Sequence, residues 1–358
     1  MKTSKIYITI IFYLVLMASC NNSGDQTYRM PEFAQVKDVE EIKFLTDDIG
    51  VNSVSDIFKY RDCLYVIAYD AHTQTFLHAY DIKTGKRIYS AIRYGNGPGE
   101  LIYPNISYFD YESGHLYFYD KVKQSYFEYV ISDQVSLISD QMSTNTPWIT
   151  HYFPIQGVGE LTMKAIKEDI DNNTKDVRIS LIGDSRQIVS EYNIFPINND
   201  KNILHAVYQS DRADVSIDKK HLVVGTSYGS ILEVFDITKG IKPKTVRYFV
   251  EPTLILREGR YNNDDTIIGF NDLFASNEYI YAAYDGENYG DVPASDFFNN
   301  IAVFDYNGTP TYLLRLNDRV ERICVDEETG EIYIVLQLRS GEVKIAELNM
   351  HKYLSNRL

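Results

Sequence analysis

Three stretches of the sequence combine residue types that occur in catalytic or anion-binding sites. The first, Gly225-Thr226-Ser227-Tyr228-Gly229, matches Gly-x-Ser-x-Gly, the pattern of a serine nucleophile held on a strand-to-helix turn. Apolar runs typical of strands lie on both sides of this match, at 222–224 and 231–236. The stretch therefore predicts a hairpin turn, and we interpret the match as fortuitous.

The second stretch, Gly95-Asn96-Gly97-Pro98-Gly99-Glu100, is rich enough in glycine to form a backbone nest for an anion. No helical pattern and no Lys-Ser/Thr pair follows it, so it is not a phosphate-binding P-loop. We interpret it as a kinked link between two structural units, with Glu100 as its only charged contribution.

The third stretch, Asp169-Ile170-Asp171-Asn172-Asn173, is similar to the start of a calcium loop but lacks the Gly and the later Glu of an EF-hand. It is more typical of a solvated hairpin tip. No two histidines have zinc-site spacing in the sequence. The histidines are His72, His78, His115, His151, His205, His221 and His351. The sequence predicts no metal site and no cofactor.

The elements that carry these residues form a repeat of about 54 residues, at the long end of propeller blade periods. A strong apolar strand occurs six times, at 64–67, 116–119, 161–163, 222–224, 280–282 and 332–334. From about residue 41 apolar and polar residues alternate between turn signals, the spacing of an all-β protein. We expect a six-bladed β-propeller with four-stranded antiparallel blades.

Each unit is predicted to contain four strands, A to D. In the first unit they are expected near 53–58, 63–70, 75–81 and 87–93. Three units end strand C with an aromatic-Asp pair before a Gly turn, at Asp81, Asp236 and Asp305, as in a repeated hairpin. The last unit lacks a fourth strand. We therefore predict that 41–45 pairs with it and closes the ring.

Strand parity places the B–C turns and the D-to-A links on one face, around the channel mouth. Long irregular loops on that face, at 257–265 and 286–298, mix Arg, Tyr, Asn and carboxylates, the chemistry of sugar or peptide recognition. The predicted ligand-binding residues are Glu100, Arg257, Arg260, Tyr261, Asp265, Glu287, Tyr289 and Asp291.

No catalytic constellation is evident, so the sequence favours a non-enzymatic binding or scaffolding module for a glycan, peptide or protein partner. The alternative is a hydrolase or lyase that cleaves glycan or peptide with carboxylates gathered from several blades at the same mouth. Net charge is −15, which would repel a polyanion, so nucleic acid is not an expected partner.

The N-terminus predicts export and lipidation. Lys2 and Lys5 precede an apolar run at 6–17 that is too short to span a bilayer, and Ala18-Ser19 then precede Cys20. We expect a signal peptide at 1–19, an acylated Cys20 (palmitate among its acyl chains) that inserts into the bilayer, a tether at 20–40 and a propeller at 41–358. Cys63 and Cys324 either form a disulfide or remain free thiols.

This lipobox-like Cys20, the six units and the run at 95–100 together resemble the TolB-like six-bladed β-propeller lipoproteins of Gram-negative bacteria. The resemblance covers roughly residues 40–350 and implies a fold and an envelope location, not an activity. Some lipoproteins of these bacteria carry an acidic export signal for the outer cell face after the lipidated Cys. Few acidic residues follow Cys20, which favours anchoring to the outer membrane on its periplasmic side.

Overall fold

The computed structural model describes residues 31–51, 53–142, 149–164, 177–183, 185–197, 204, 207–208, 211–248, 256–257, 260–261, 266–291, 293 and 297–354. The predicted signal peptide, Cys20 and the first part of the predicted tether lie outside these residues, as does the stretch at 169–173.

The chain folds as a six-bladed β-propeller, as the sequence predicts, with each blade an antiparallel sheet in the order A to D. Two short strands precede the blades: β1 (Gln35–Asp38) and β2 (Lys43–Phe44). Blade 1 contains β3 (Asp56–Tyr60), β4 (Cys63–Asp70), β5 (Thr75–Asp81) and β6 (Arg87–Arg93). Blade 2 contains β7 (Pro104–Asp110), β8 (His115–Asp120), β9 (Ser125–Ile131) and β10 (Val135–Met142). Blade 3 contains β11 (Ile149–Ile155), β12 (Gly159–Lys164), β13 (Ile179–Ile182) and β14 (Ile188–Tyr192).

The second half of the ring repeats this order. Blade 4 contains β15 (Arg212–Val215), β16 (His221–Gly225), β17 (Ile231–Asp236) and β18 (Lys242–Tyr248). A two-stranded hairpin follows, with β19 (Leu256–Arg257) and β20 (Arg260–Tyr261). Blade 5 contains β21 (Phe270–Ala275), β22 (Tyr279–Tyr284), β23 (Asn300–Asp305) and β24 (Pro310–Arg315). Blade 6 contains β25 (Arg319–Asp326), β26 (Glu331–Gln337) and β27 (Val343–Asn349), and helix α1 (Met350–Leu354) follows.

Ring closure occurs as predicted, because β2 supplies the fourth strand of blade 6. Lys43 pairs with Glu347 and Phe44 with Ala346 in antiparallel register. The Leu45 N–H donates to the Ile345 carbonyl at 2.9 Å, and Lys43 Nζ lies 3.0 Å from the Glu347 carboxylate. Joining the first strand to the last blade removes two exposed sheet edges.

One pairing was not predicted. Strand β1, at the end of the segment expected to be a tether, pairs in parallel with the outer strand β24 of blade 5, so that Val36 lies beside Leu313. Phe33 packs on the same blade, with its ring centroid 5.7 Å from that of Phe304. The chain therefore joins the propeller before residue 41.

Aromatic side chains hold neighbouring blades together and account for much of the tyrosine and phenylalanine content. The Phe58 and Phe109 rings stack at 4.1 Å between blades 1 and 2, and Tyr108 meets Phe153 edge-on at 5.5 Å between blades 2 and 3. Such pairs stabilise a fold by about 1 kcal/mol beyond the apolar area that they bury. Rings thus pack between blades 1 to 3, whereas the core shared by blades 5, 6 and 1 consists mainly of Val, Ile, Leu and Ala.

Aspartates close many of the turns through bonds to backbone N–H groups a few residues on. Asp81 accepts from Thr84, Asp236 from Thr238, and Asp305 from Asn307 and Thr309. The glycines that follow have positive φ: 66° at Gly85, 104° at Gly240 and 69° at Gly308. The repeated hairpin predicted from these Asp and Gly residues is confirmed.

Candidate functional site

The inner strands of the six blades surround a cavity of about 800 Å³ on the propeller axis. Its volume falls in the range of small-ligand sites in proteins. Tyr69 and Phe76, beside the B–C turn of blade 1, line this cavity, and so do Tyr94 and Tyr103 from the link to blade 2. The B–C turn and the D-to-A link of blade 1 therefore border the cavity, whereas the long loops predicted to do so, at 257–265 and 286–298, contribute no lining residue among those described.

Three rings form an aromatic platform at this mouth, defined by Tyr69, Phe76 and Tyr94. The Tyr69 ring lies 5.3 Å from Phe76 and 5.6 Å from Tyr94. Phe76 is buried, whereas Tyr69 is 44% and Tyr94 48% exposed. The buried ring supports the other two, so the platform presents apolar ring surface to solvent at the opening of a polar cavity.

Deeper in the cavity, four charged residues occupy one level of the inner strands and form a charge ring: Arg212, Asp272, Arg322 and Asp56. They come from blades 4, 5, 6 and 1 in that order, so the charges alternate around the axis. Each of the four pairs with the fifth residue of the second strand in its blade, so the four positions are equivalent. These paired residues are Gly225, Ala283, Val335 and Ile67.

The charge ring also joins neighbouring blades. The Asp272 carboxylate accepts from the Ile323 N–H at 2.8 Å, and Asp56 accepts from the Ser107 hydroxyl at 2.9 Å. Arg322 Nε donates to the Ser55 carbonyl at 2.7 Å, and Arg212 donates to the Asn271 carbonyl. Each charged group is thus fixed in position by the next blade, as a preorganised binding site requires.

Burial dominates the electrostatics of these carboxyl groups. It raises the pKa of Asp56 to about 6 and that of Asp272 to about 7, against the opposing charge of Arg322. Asp214 lies two residues after Arg212, on the same face of β15. Burial holds the pKa of its carboxyl group well above the usual range. The Asp214 oxygens accept from the backbone of Val215 and Ala275. The cavity therefore contains carboxyl groups that titrate near neutral pH.

Asp211 and His151 form a second polar pair in the same cavity. His151 Nδ1 lies 3.7 Å from Asp211 Oδ1. Burial raises the pKa of Asp211 to about 7, while burial and the charges of Arg212 and Lys121 lower the pKa of His151 to about 3. The imidazole is therefore neutral at physiological pH and brings no positive charge to Asp211.

A salt bridge ties the far ends of two inner strands together. Lys219, in the A–B turn of blade 4, lies 3.1 Å from Asp110 and 2.8 Å from Glu112, both in blade 2. Asp110 and the adjacent Tyr111 line the cavity at this end. The bridge therefore connects blade 4 to blade 2 past blade 3, on the side of the ring opposite the mouth.

The structure gives Glu100 a role within its own link. Its carboxylate accepts from the Gly97 N–H at 2.8 Å, and a Cβ on Gly95 would collide with it. Lys123 donates to the Glu100 carbonyl at 2.6 Å, and Tyr129 to the Gly99 carbonyl at 2.9 Å. These bonds fit the interpretation of 95–100 as a kinked link, and Glu100 does not line the cavity.

Residues of the long loop after β22 lie away from the cavity. The Tyr289 ring packs on Phe297 at 5.0 Å, and Asp291 accepts from Asn288 at 2.9 Å. Glu287 borders a separate cavity of about 700 Å³ beside Arg315 and the N-terminal segment at 38–40. These three predicted residues therefore belong to an outer surface rather than to the channel.

The remaining predicted residues are only partly described. Arg257 and Arg260 face each other across the hairpin of β19 and β20, and Tyr261 pairs with Leu256. Their backbone positions are known but their side chains lie outside the described part of the chain, as does the whole of Asp265. The prediction that these four residues bind a ligand stays a prediction.

Sequence reasoning did not identify the charge ring, although the sequence contained a signal for it. Asp56-Ile57-Phe58 and Asp272-Leu273-Phe274 place a carboxylate before two apolar residues in strand A. The same Asp-apolar-Phe pattern in the first strands of two units suggests that both aspartates occupy equivalent positions.

The weaker motifs have structural explanations. The stretch at 225–229 forms the hairpin between β16 and β17 that the sequence predicts, and Ser227 donates to the Phe270 carbonyl at 3.0 Å. Cys63 and Cys324 are free thiols, so no disulfide joins them. Within the described residues, no group of His, Cys, Asp and Glu could hold a metal ion. Among those residues, no helix has the length and hydropathy needed to cross a membrane.

Comparisons with known proteins agree with this fold. The model of the TolB-like 6-blade propeller-like family matches residues 37–328. No curated protein matches the sequence. The chain is similar to a Bacteroides fragilis protein provisionally described as exported, at 12% identity and a TM-score of 0.56, over 87% of this chain and 97% of that one. A DUF4221 family member from Bacteroides vulgatus gives 12% identity and a TM-score of 0.51 over the same shares. These two likenesses establish the fold alone.

Proposed function

The chain belongs to the TolB-like 6-blade propeller-like family. We propose that this propeller is a lipid-anchored envelope protein and that it binds a glycan in its channel mouth. The observation that carries this proposal is the aromatic platform on the rim of a deep, charged cavity. The C–H faces of a sugar ring pack on aromatic rings, while its hydroxyl groups bond to carboxylates and guanidinium groups.

The residues of the cavity suit such a ligand. Tyr69 and Tyr94 offer two exposed ring faces at the opening. Below them, the charge ring supplies two guanidinium donors and two carboxyl groups, and Thr150 and Ser107 add hydroxyls to the cavity wall. A sugar chain that enters past the platform meets polar groups held rigidly by neighbouring blades.

Binding to an immobilised glycan panel tests this site against the outer loop. We expect the wild-type protein to bind at least one glycan, and the Tyr69→Ala, Tyr94→Ala double variant to bind it at least about tenfold more weakly. Tyr289→Ala is the matched control, since that ring is also partly exposed but packs on the loop at 286–298. Loss in Tyr289→Ala with retention in the double variant would move the site to the loops predicted from sequence. A panel that stays unbound would refute glycan recognition.

We also propose that acylation of Cys20 anchors the protein to the outer membrane on its periplasmic side. The support is the order of basic residues, apolar run, small residues and Cys at the N-terminus. We expect Cys20→Ala to move the protein from the membrane pellet to the soluble periplasmic fraction. Cys63→Ala, a change of the same kind at a thiol within blade 1, should leave it in the pellet. Equal fractionation of both variants would contradict lipid anchoring at Cys20.

One observation favours a second candidate function, cleavage of the bound chain by a hydrolase or lyase mechanism. Asp56 and Asp272 come from different blades and have pKa values of about 6 and 7, in the range of an efficient general acid. Incubation of the bound glycan with wild-type protein and with Asp272→Asn should then release fragments only in the wild type. Intact glycan after prolonged incubation with the wild type would exclude this function.

A further inference from the structure

The alternation of charges in the charge ring stops at blades 2 and 3. The equivalent positions there are Ile106 and His151, which also pair with the fifth residue of the second strand in their blades. Burial and the charges of Arg212 and Lys121 lower the pKa of His151 to about 3, so its imidazole is neutral at physiological pH. The ring therefore has a gap without charge beside Arg212.

The two arginines of the charge ring differ in their neighbours as a result. Arg322 lies between Asp272 and Asp56 in the ring, and its Nε is 4.0 Å from the Asp272 carboxylate. Arg212 has Asp272 on one side and the neutral His151 on the other. Within the described part of the chain, Arg212 forms no ion pair, and its one hydrogen bond runs from Nε to a backbone carbonyl. Its two terminal nitrogens are thus available at the cavity wall.

Lys121 adds a second cation on the same side of the cavity. It begins the B–C turn of blade 2 and lines the cavity, and its N–H donates to the Tyr103 carbonyl at 3.2 Å, on the link that also contains Tyr94. The Lys121 side chain is exposed and has no ion pair or hydrogen bond with the residues that the structure describes. Its charge and that of Arg212 both act on the pKa of His151, so both cations lie near this imidazole.

The carboxyl groups that line this part of the cavity do not balance the two cations. Asp211 is 6% exposed, and burial raises its pKa to about 7 against the charges of Arg178 and Arg212. Burial holds the pKa of Asp214 well above its usual range. The terminal nitrogens of Arg178 bond to the Glu233 carboxylate, so that guanidinium is already paired. At pH 6 these cavity carboxyl groups are mostly neutral, whereas guanidinium and ammonium groups keep their charge.

We infer that a carboxylate of the ligand binds at the gap in the charge ring, between Arg212 and Lys121, so that the glycan taken up at the mouth contains a uronic acid. This inference rests on the proposed function and specifies its substrate class. The terminal nitrogens of a guanidinium group match the two oxygens of a carboxylate, and hydrogen bonds between such charged groups are stronger than those to a sugar hydroxyl. The carboxylate would also restore the alternation of charge beside Arg212.

The net charge of −15 is compatible with such a ligand. At physiological ionic strength, salt screens charges on the outer surface over about 8 Å, whereas the cavity groups contact the ligand directly. A nucleic acid carries a charge at every phosphate, and most of these charges would lie outside the cavity. A sugar with one carboxylate brings that group to the cations and leaves its neutral faces to the aromatic platform.

Three β-1,4-linked disaccharides of glucose test the inference, since they differ only at C6 of the non-reducing ring: the uronic acid, its methyl ester and the unoxidised sugar. Calorimetric titration at pH 6 and physiological salt should give at least about tenfold tighter binding for the uronic acid than for the other two. Lys121→Gln and Arg212→Gln should each reduce this preference by about threefold. In the double variant the preference should disappear while the two neutral disaccharides bind as before.

Two control variants separate a specific carboxylate site from general attraction to a basic residue. Lys83→Gln removes an exposed lysine from the C–D turn of blade 1, and Arg93→Gln removes an exposed arginine at the end of β6. Neither residue lines the cavity, so both variants should keep the full preference. A melting curve at pH 6 shows whether each variant is folded. If Arg212→Gln does not fold, Lys121→Gln decides the test, because the Lys121 side chain is exposed.

The outcomes are distinct. Equal affinity for the three disaccharides, or an unchanged preference in Lys121→Gln, would overturn the carboxylate site while glycan binding itself stands. If none of the three binds, the glycan panel decides: bound uronic acids would support the inference, and binding of neutral glycans alone would overturn it. Failure of the disaccharides together with an unbound panel would overturn the proposed function. Preferential binding of triglycine over its C-terminal amide, with no binding of any saccharide, would make the carboxylate that of a peptide and would also overturn the glycan assignment.

Discussion

Aspartates in two regions of this propeller perform the same task with opposite electrostatic consequences. On the inner strands, Asp214 and Asp272 accept backbone N–H groups, and burial raises the pKa of both. In the turns between strands C and D, Asp81 and Asp236 also accept backbone N–H groups, and bonds to Thr84 and Thr238 lower their pKa values. Hydrogen bonding is common to both regions, so burial decides whether the pKa of each aspartate is raised or lowered.

The two sets also differ in what they connect. A turn aspartate bonds within its own hairpin, as Asp236 does with Thr238, which is two residues away. An inner aspartate bonds across blades, as Asp214 does with Ala275 of blade 5. When a turn aspartate is removed, the N–H groups of one hairpin should still bond to water. When an inner aspartate is removed, buried N–H groups of two blades should be left without hydrogen-bond partners.

The largest effect should follow from Asp214→Ala. The change leaves the N–H groups of Val215 and Ala275 without their acceptor, and both residues are buried. We expect the free energy of unfolding to fall by about 3 kcal/mol in a denaturant titration. Asp214→Asn keeps one acceptor oxygen and should lose less. A loss below about 1 kcal/mol in Asp214→Ala would show that the inner bonds are no more important than those of a turn.

The next effect is a dependence on pH. With a folded pKa of about 7, Asp272 binds its proton more tightly in the folded state than in the unfolded chain, where about 4 is usual. Its contribution to stability is thus fully present below pH 4 and is lost as pH rises through 7. Between pH 5 and pH 7 the stability of the wild type relative to Asp272→Asn should fall by about 2 kcal/mol.

Melting curves of both proteins across this pH range measure the difference directly. Because the comparison is made against Asp272→Asn, contributions that the two proteins share cancel. The charged and titratable groups that interact with Asp272 are Arg322, Asp56, Arg212 and Asp214. If the stability of the two proteins changed with pH in parallel, Asp272 would be ionised across the whole range because of these neighbours. The raised pKa that distinguishes Asp272 from the turn aspartates would then be refuted.

The smallest effect should come from Asp236→Ala. The Thr238 N–H and hydroxyl lose an acceptor at 2.9 and 2.6 Å, but both can bond to water once the carboxylate is gone. We expect a loss of about 1 kcal/mol in the same denaturant titration. Asp236→Asn retains an acceptor and serves as its control. A cost equal to that of Asp214→Ala would remove the distinction between the two regions.

Much of the fold could be predicted because its signals are local. Strands β4, β5 and β6 coincide with the predicted strands at 63–70, 75–81 and 87–93, since alternation and turn residues mark both ends. The missing fourth strand of blade 6 and the unpaired segment at 41–45 together predicted the closure that β2 makes. Strand β1 could not be found in this way, because the blade that it joins already has four strands.

The candidate site was harder to predict, because the residues that line it are distant from one another in the sequence and form no recognisable motif. Each inner strand contributes one or two polar side chains, such as Asp56 or Arg322, and a single charged residue is not distinctive in a chain with 50 acidic and 35 basic residues. The long loops were conspicuous, yet Tyr289 and Asp291 bond within their own loop. Loop length was therefore a poor indicator of the position of the cavity.

The sequence by itself determined the six-unit repeat, the strand order and the hairpin turns, because each depends on periodicity or on residues close in the chain. Only the tertiary structure decided which charges meet at the axis. Arg212, Asp272, Arg322 and Asp56 come from four blades and adjoin one another only after the ring closes. Burial in that closed ring then raises the pKa values of Asp56 and Asp272.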